Sequence, residues 1–140
     1  MNEYNSQQTV RLLKIIIALS IVVYFGMTFL LKHYVFMGDD NGFVYAPDAP
    51  EARQLLYIFA GISGFNFVFQ FFITQIFSAK TTTQQGSMGV AVLRIAICES
   101  IAVLGFLTYL LSGLQVESWI FMGTSLIALL FGDRKVQRAL

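Results

Sequence analysis

The chain has 140 residues, of which 56% are hydrophobic and only 12% are charged, and its formal net charge is +1. A soluble domain carries roughly 25% charged residues, and a soluble globule of this size could not bury so much apolar surface. The absence of a basic patch argues against nucleic-acid binding, and the single cysteine, Cys98, excludes an internal disulfide. The composition therefore predicts an integral membrane protein with the lipid bilayer as its first partner.

The first predicted helix covers residues 12–31. Residues 1–10 are polar and are expected to form a short interfacial segment. The apolar run that follows has the length of a membrane-spanning helix of ~20 residues, and Lys14 can extend its ammonium group to the interface. This run exceeds the apolar part of a typical signal peptide, and no small-residue cleavage site follows Lys32. We therefore expect the helix to be retained.

A polar loop leads to the second predicted helix, residues 52–77. Residues 38–42 have the composition of a turn. Residues 48–51 indicate a helix start, with Asp48 as the predicted N-cap, followed by a proline and a second acid. The helix is rich in phenylalanine. Four polar residues recur in it at spacings of three and four: Ser63, Asn66, Gln70 and Thr74. They share one helix face, which in lipid is expected to turn inward and hydrogen-bond to a neighbouring helix.

A short polar loop near Thr83 precedes the third predicted helix, residues 88–111, which Ser112 and Gly113 end. The fourth predicted helix, residues 114–131, has a short apolar core, so it is either a fourth crossing or a tilted or re-entrant helix. These elements predict an all-α fold. We expect the four helices to form a polytopic membrane four-helix bundle made of two helical hairpins. Residues 1–140 are then a single transmembrane domain.

The basic residues predict the orientation of the bundle. Six basic residues lie on one side of the expected membrane: Arg11, Lys14, Lys80, Arg134, Lys135 and Arg138. The other side has Lys32 and Arg53 together with most of the acidic residues. Because cytoplasmic segments carry the excess of Lys and Arg, both termini are expected in the cytoplasm of a bacterial inner membrane. Trp119 and Tyr34 then lie near the outer interface, where aromatic belts form.

Two ionisable residues interrupt the third predicted helix. Glu99 lies near its middle, where an isolated carboxylate costs several kcal/mol, so the group must be protonated, paired or bound to a cation. Arg94 is the nearest basic residue in sequence, but five residues along a helix place the two side chains about 140° apart. We interpret Arg94 as an interface residue or a contact to another subunit.

Small residues form a stripe on the same helix: Ala91, Cys98, Ala102, Gly105 and Ser112. Small residues allow membrane helices to approach closely, so this stripe predicts a packing surface. Cys98 is interpreted as a member of the stripe, because a reactive thiol needs a polar and electropositive site.

The hairpin of the second and third helices brings Asn66 and Gln70 to about the depth of Glu99. With Ser100, these residues would supply an oxygen-rich site for H+ or Na+. The alternative is an ordinary interhelical hydrogen-bond seam. His33 is alone at an interface and is interpreted as an ordinary interfacial residue.

The segment 95–106 resembles the ion-carrying helix of the rotary ATPase proteolipids, the c subunits of F-type and V-type enzymes. It is similar in having a glutamate in mid-helix and a glycine six residues later, Glu99 and Gly105, after a short polar loop. The chain also resembles the sodium-binding members of that family, which have a serine after the glutamate, as Ser100 is here, and an amide residue on the preceding helix, as Asn66 or Gln70 is here. The resemblance implies that Glu99 carries H+ or Na+ and that Asn66 or Gln70 assists.

These observations predict a small multi-pass subunit of an oligomeric or multiprotein membrane complex, with a packing role and ion handling through Glu99. Its expected partners are copies of itself or other membrane subunits. One alternative is a proteolipid-like rotor or channel subunit. Another is a small multidrug-type transporter, although such transporters place their glutamate in the first helix. Since the sequence has no phosphate loop, metal-ligand cluster or nucleophile–base pair, it predicts neither an enzyme nor a cofactor beyond H+ or Na+.

Overall fold

The computed structural model describes residues 3–35, 43, 45–80 and 84–131. Within these ranges the chain forms α1 (Glu3–Leu30), α2 (Pro50–Lys80), α3 (Gln84–Ser112) and α4 (Gln115–Phe131), with no strand. A five-residue π-helix, Leu31–Val35, continues α1. The prediction of an all-helical fold with four helices is confirmed.

Three of these helices are long and apolar enough to cross a membrane. Their apolar spans are Gln7–Tyr34, Pro50–Ile73 and Met88–Ser112, and a crossing needs ~20 residues. The fourth helix has 17 residues, which reach about 26 Å at about 1.5 Å per residue, against a hydrocarbon core of ~30 Å. A complete crossing by α4 would therefore require a thinned bilayer.

Three helices extend further than predicted. α1 begins at Glu3, so residues 3–10 of the polar segment expected at the interface are helical and continuous with the apolar part of α1. No Gly or Pro interrupts residues 3–11, and Glu and Gln are good helix formers, so nothing stops the helix there. For the same reason α2 continues to Lys80. α3 begins at Gln84 and includes Gly86 in its first turn.

The start of α2 follows the proline signal. Pro50 is its first residue, a position where the missing N–H costs nothing. The Ala49 carbonyl accepts the first backbone hydrogen bonds of the helix, so Ala49, rather than Asp48, occupies the cap position. The predicted turn at residues 38–42 and the loop around Thr83 lie outside the described residues.

The loop before α2 packs on the C-terminal end of α3. Gly113 ends the helix in the left-handed region, with φ of 66°, and its N–H donates to the Tyr109 carbonyl at 2.8 Å. The Phe43 ring stands edge-on to the Tyr109 ring, with centroids 5.6 Å apart. The Tyr45 N–H donates to the Leu111 carbonyl at 2.8 Å, which satisfies one of the last carbonyls of the helix.

The third helix is the centre of the molecule. α3 packs against α1, α2 and α4, and α1 also packs against α4. The buried core lies among α1, α3 and α4 and consists of Ile17, Ile21, Ile95, Cys98, Ala102, Met122, Ala128 and Leu129. Many large apolar side chains face outward instead; Tyr57 and Phe65 of α2 are 71% and 66% exposed. An apolar exterior of this extent is compatible with an integral membrane protein, because lipid solvates such surfaces.

Candidate ion-binding and helix-packing sites

The closest helix approach involves Gly105. A Cβ added to Gly105 would lie 2.7 Å from the Cβ of Phe121 and 2.9 Å from the Ser118 carbonyl oxygen. Distances below 3.0 Å do not occur between such atoms without a shift of the backbone. Glycine therefore lets the backbone of α4 rest directly on α3.

The other small residues predicted to pack are also buried. Ala91, Cys98 and Ala102 are exposed by no more than a few per cent. The Ser125 hydroxyl of α4 donates a hydrogen bond to the Cys98 carbonyl oxygen, which further ties the two helices together. Burial of the Cys98 side chain leaves its sulfur with little access to solutes.

The polar face of α2 turns toward α3. The Asn66 amide nitrogen donates to the Ser100 hydroxyl oxygen at 3.1 Å, and that hydroxyl donates to the Ile97 carbonyl at 2.7 Å. Gln70 is 3% exposed, and its side-chain oxygen accepts a hydrogen bond from the Cys98 thiol at 3.2 Å. The side chain of Thr74, the last member of this face, lies outside the described residues.

These contacts are those of an interhelical hydrogen-bond seam. Ser100 already accepts from one partner and donates to another, and the Gln70 oxygen already accepts a hydrogen bond. A bound Na+ would require several oxygens turned toward one point, and those oxygens would have to leave their present partners. In this arrangement, the seam joins α2 to α3.

Glu99 lies on a different side of α3 from this seam. It precedes Ser100 by one residue, a rotation of about 100° around the helix. Glu99 shares its face with Phe106, seven residues later, and the Phe106 ring stacks on Tyr24 of α1 at 5.4 Å. The structure thus brings Asn66, Gln70 and Ser100 together, while Glu99 lies toward α1.

The Glu99 carboxyl group has no hydrogen-bond or ion-pair partner among the described residues. Glu99 is half-buried, and within residues 3–35, 45–80 and 84–131 no hydrogen bond or ion pair is made by its side chain. It is the twelfth residue of the apolar span Met88–Ser112 and thus lies near the middle of that span. Such a group requires a proton, a cation or a partner from another molecule.

Arg94 lines a narrow crevice where α1, α3 and α4 meet. Lys14 lines the same crevice, together with the small or apolar residues Val10, Ala91, Ile95, Cys98, Ala128 and Leu129. The sequence indicated an interface position for both cations but not their proximity, because they lie on helices far apart in the chain.

A further feature that the sequence did not reveal is an open, mostly apolar groove of about 450 Å³ between α2 and α4. Ser63 lines this groove, and its buried hydroxyl has no hydrogen-bond partner among the described residues. Glu117 lines it from the first turn of α4, a position where the helix dipole favours a carboxylate. The groove arises from packing, because α2 and α4 both lean on α3 and leave a space between them.

Comparison with known proteins identifies no relative. No protein-family model matches the chain, and no curated protein or solved structure matches it significantly. Among the described residues, no group of three or more His, Cys, Asp or Glu side chains could hold a metal ion. The function must therefore be inferred from the helices and their contacts.

Proposed function

We propose that this protein is a small multi-pass subunit of an oligomeric or multiprotein membrane complex. In this proposal α1 to α4 form a bundle in the inner membrane of a bacterium, and Glu99 handles H+ or Na+ or contacts a neighbouring subunit. The observation that carries the proposal is the half-buried Glu99 carboxyl at mid-span, which has no partner in the described part of the chain.

The energetic reason is the cost of an ionised carboxylate in hydrocarbon. Insertion scales place that cost at about 2.5–3.5 kcal/mol at the helix centre. A protein can avoid the cost by binding a proton or Na+ at the carboxyl, or by supplying a donor from a second chain. The first solution supports ion handling, and the second supports a subunit contact.

Two further observations support the packing role. Gly105 holds α4 against α3 at backbone contact, and the Asn66–Ser100 bond holds α2 there as well. The large apolar side chains remain outside, available to lipid or to other membrane subunits. The described helices bury polar side chains such as Gln70 and Ser125 between them and keep many large apolar side chains outside, as is expected of a membrane bundle.

The orientation in this proposal places both termini in the cytoplasm. Lys14 and Arg94 lie at the end of the bundle where α1 and α3 begin and α4 ends, which we name the basic end. Lys32 lies at the opposite end, where its ammonium donates to the Gln115 side chain at 2.7 Å. The positive-inside rule assigns the basic end to the cytoplasm. Reporter fusions at each terminus test this assignment.

A proteolipid-like ion carrier is the second candidate, and the position of Glu99 favours it. An ion carrier must exchange its ion with a neighbouring protein, which requires a carboxyl group at the periphery of the bundle. Glu99 is half-buried on the α1 side of α3, so one part of its surface remains open. This candidate predicts that the ion competes with chemical modification of the carboxyl.

The deciding experiment uses native membranes and a hydrophobic carbodiimide, which modifies protonated carboxyls in the lipid phase. Ion handling predicts modification of Glu99 that Na+ or high pH suppresses, and loss of modification in Glu99→Gln. A subunit contact predicts that a partner co-purifies with the wild type and is lost from Glu99→Gln. Glu117→Gln is the matched control, since Glu117 lies in the first turn of α4. Unmodified Glu99 together with unchanged co-purification in Glu99→Gln would contradict the proposal.

A further inference from the structure

The Lys14–Arg94 crevice has a pronounced positive character. Lys14 comes from α1 and Arg94 from α3, and no acidic side chain is found among the described residues that line the crevice. Both side chains are half-buried. The Arg94 guanidinium makes no hydrogen bond or ion pair to any other residue of the described ranges. Partial burial of a guanidinium without an acceptor is unfavourable, so an external acceptor would stabilise this arrangement.

The two cations also lie at the same depth. The hydrogen bond between Lys32 and Gln115 places the C-terminal end of α1 at the same depth in the bundle as the start of α4. The C-terminal end of α3, Ser112, lies at this depth too, because α4 begins three residues later. Lys14 precedes Lys32 by eighteen residues, and Arg94 precedes Ser112 by the same number. Eighteen residues rise about 27 Å, close to the hydrocarbon thickness of ~30 Å. Both cations therefore reach the opposite headgroup boundary.

The chemistry of that boundary identifies the acceptor. The anions abundant at this depth are lipid phosphates, and basic pockets between transmembrane helices bind anionic headgroups. A guanidinium can donate two parallel hydrogen bonds to phosphate oxygens, and an ammonium adds a point charge. The enclosed part of the crevice is no larger than a water molecule. A headgroup would accordingly bind at its mouth, reached by the long side chains of both cations.

We propose that Lys14 and Arg94 together bind the phosphate of an anionic phospholipid at the basic end of the bundle. Leu93, which is 45% exposed beside Arg94, offers an apolar surface on which an acyl chain would lie. The inference rests on the membrane embedding proposed above. It depends neither on Glu99 nor on which leaflet faces the cytoplasm.

The test is native mass spectrometry of the full chain in mixed micelles containing either phosphatidylglycerol or phosphatidylcholine. We expect the wild type to retain phosphatidylglycerol preferentially. Each of Lys14→Gln and Arg94→Gln should lower that retention about fivefold, the effect of ~1 kcal/mol per basic residue near an anionic surface. Arg94→Lys should keep most of it. Arg53→Gln should not change it, because Arg53 is exposed at the opposite end.

Three results would overturn the inference: equal retention of both lipids, an equal loss in Arg53→Gln, or displacement of the lipid by millimolar inorganic phosphate. The last result would identify a site for free phosphate rather than for a lipid. If Arg94→Gln does not fold, Lys14→Gln provides the same test. Extraction of the wild type from membranes by alkaline carbonate would contradict the membrane embedding itself, an outcome distinct from a loss of lipid selectivity.

Discussion

Gly105 in α3 and Phe121 in α4 approach so closely that a methyl group on Gly105 would meet the Phe121 Cβ at 2.7 Å. Nearby, the Ser118 carbonyl oxygen would lie 2.9 Å from the same methyl group. Because one of these atoms belongs to the backbone, a side-chain rotation cannot relieve the clash. The short helix α4, of 17 residues, is thus held on α3 by direct backbone contact.

Gly105→Ala is expected to destabilise the bundle. Overpacking costs about 1–3 kcal/mol, which outweighs the ~1 kcal/mol that alanine gains over glycine in helix propensity. Thermal unfolding in mild detergent measures the effect. Gly89→Ala is the matched control on the same helix, since its added Cβ would meet no side chain or neighbouring helix of the described residues within 4 Å. Equal stability of the two variants would show that the close approach does not exist in solution.

Gly113→Ala should also lower stability, for a different reason. Gly113 has φ of 66°, and an added Cβ would lie 2.7 Å from the Phe43 ring. The left-handed conformation alone costs a non-glycine residue about 1–2 kcal/mol. The control is Gly123→Ala in α4, which meets nothing within 4 Å. Proteolysis of the loop before α2 should accelerate in Gly113→Ala, and an unchanged cleavage rate would contradict packing of the loop on this turn.

Trp119 and Thr28 link α4 to α1 through a hydrogen bond of 3.0 Å from the indole nitrogen to the Thr28 hydroxyl. We expect Trp119→Phe and Thr28→Val to be coupled by about 0.6 kcal/mol, the average measured by double-mutant cycles for hydrogen bonds between membrane helices. A double-mutant cycle of unfolding free energies isolates that coupling. Strict additivity of the two substitutions would argue that the bond contributes nothing to the α1–α4 contact.

Gln70 and Ser63 should respond differently to substitution, although both are buried on the same face of α2. Gln70→Leu removes the acceptor of the Cys98 thiol and should cost about 1 kcal/mol. Ser63→Ala removes a buried hydroxyl that has no partner, so it should be neutral or slightly stabilising. Denaturant titration in detergent compares the two. A larger loss for Ser63→Ala would mean that its hydroxyl binds a group from outside the chain.

The sequence predicted the hydrogen-bond seam between α2 and α3, but not the direction in which Glu99 lies around α3. The spacing of Asn66 and Gln70 predicts a polar face on α2, and Asn66 does bond to Ser100 on α3. The α2–α3 hairpin also predicts that Glu99 lies at about the same membrane depth as Asn66 and Gln70. Depth along a helix, however, does not determine direction around it, and the stacking of Phe106 on Tyr24 turns the Glu99 face toward α1.

Composition and the length of the apolar runs were enough to predict four helices, three of them of membrane-spanning length, because a helix satisfies its own backbone hydrogen bonds in any solvent. The glycine after α3 and the proline at the start of α2 also act locally, through φ and a missing N–H. Only the tertiary structure decided the neighbours of each helix face. Lys14 and Arg94 converge because α1 and α3 pack side by side at matched depth, and α2 and α4 leave a groove because both rest on α3. Such contacts depend on how complementary surfaces fit across the bundle, which the order of residues in one helix does not specify.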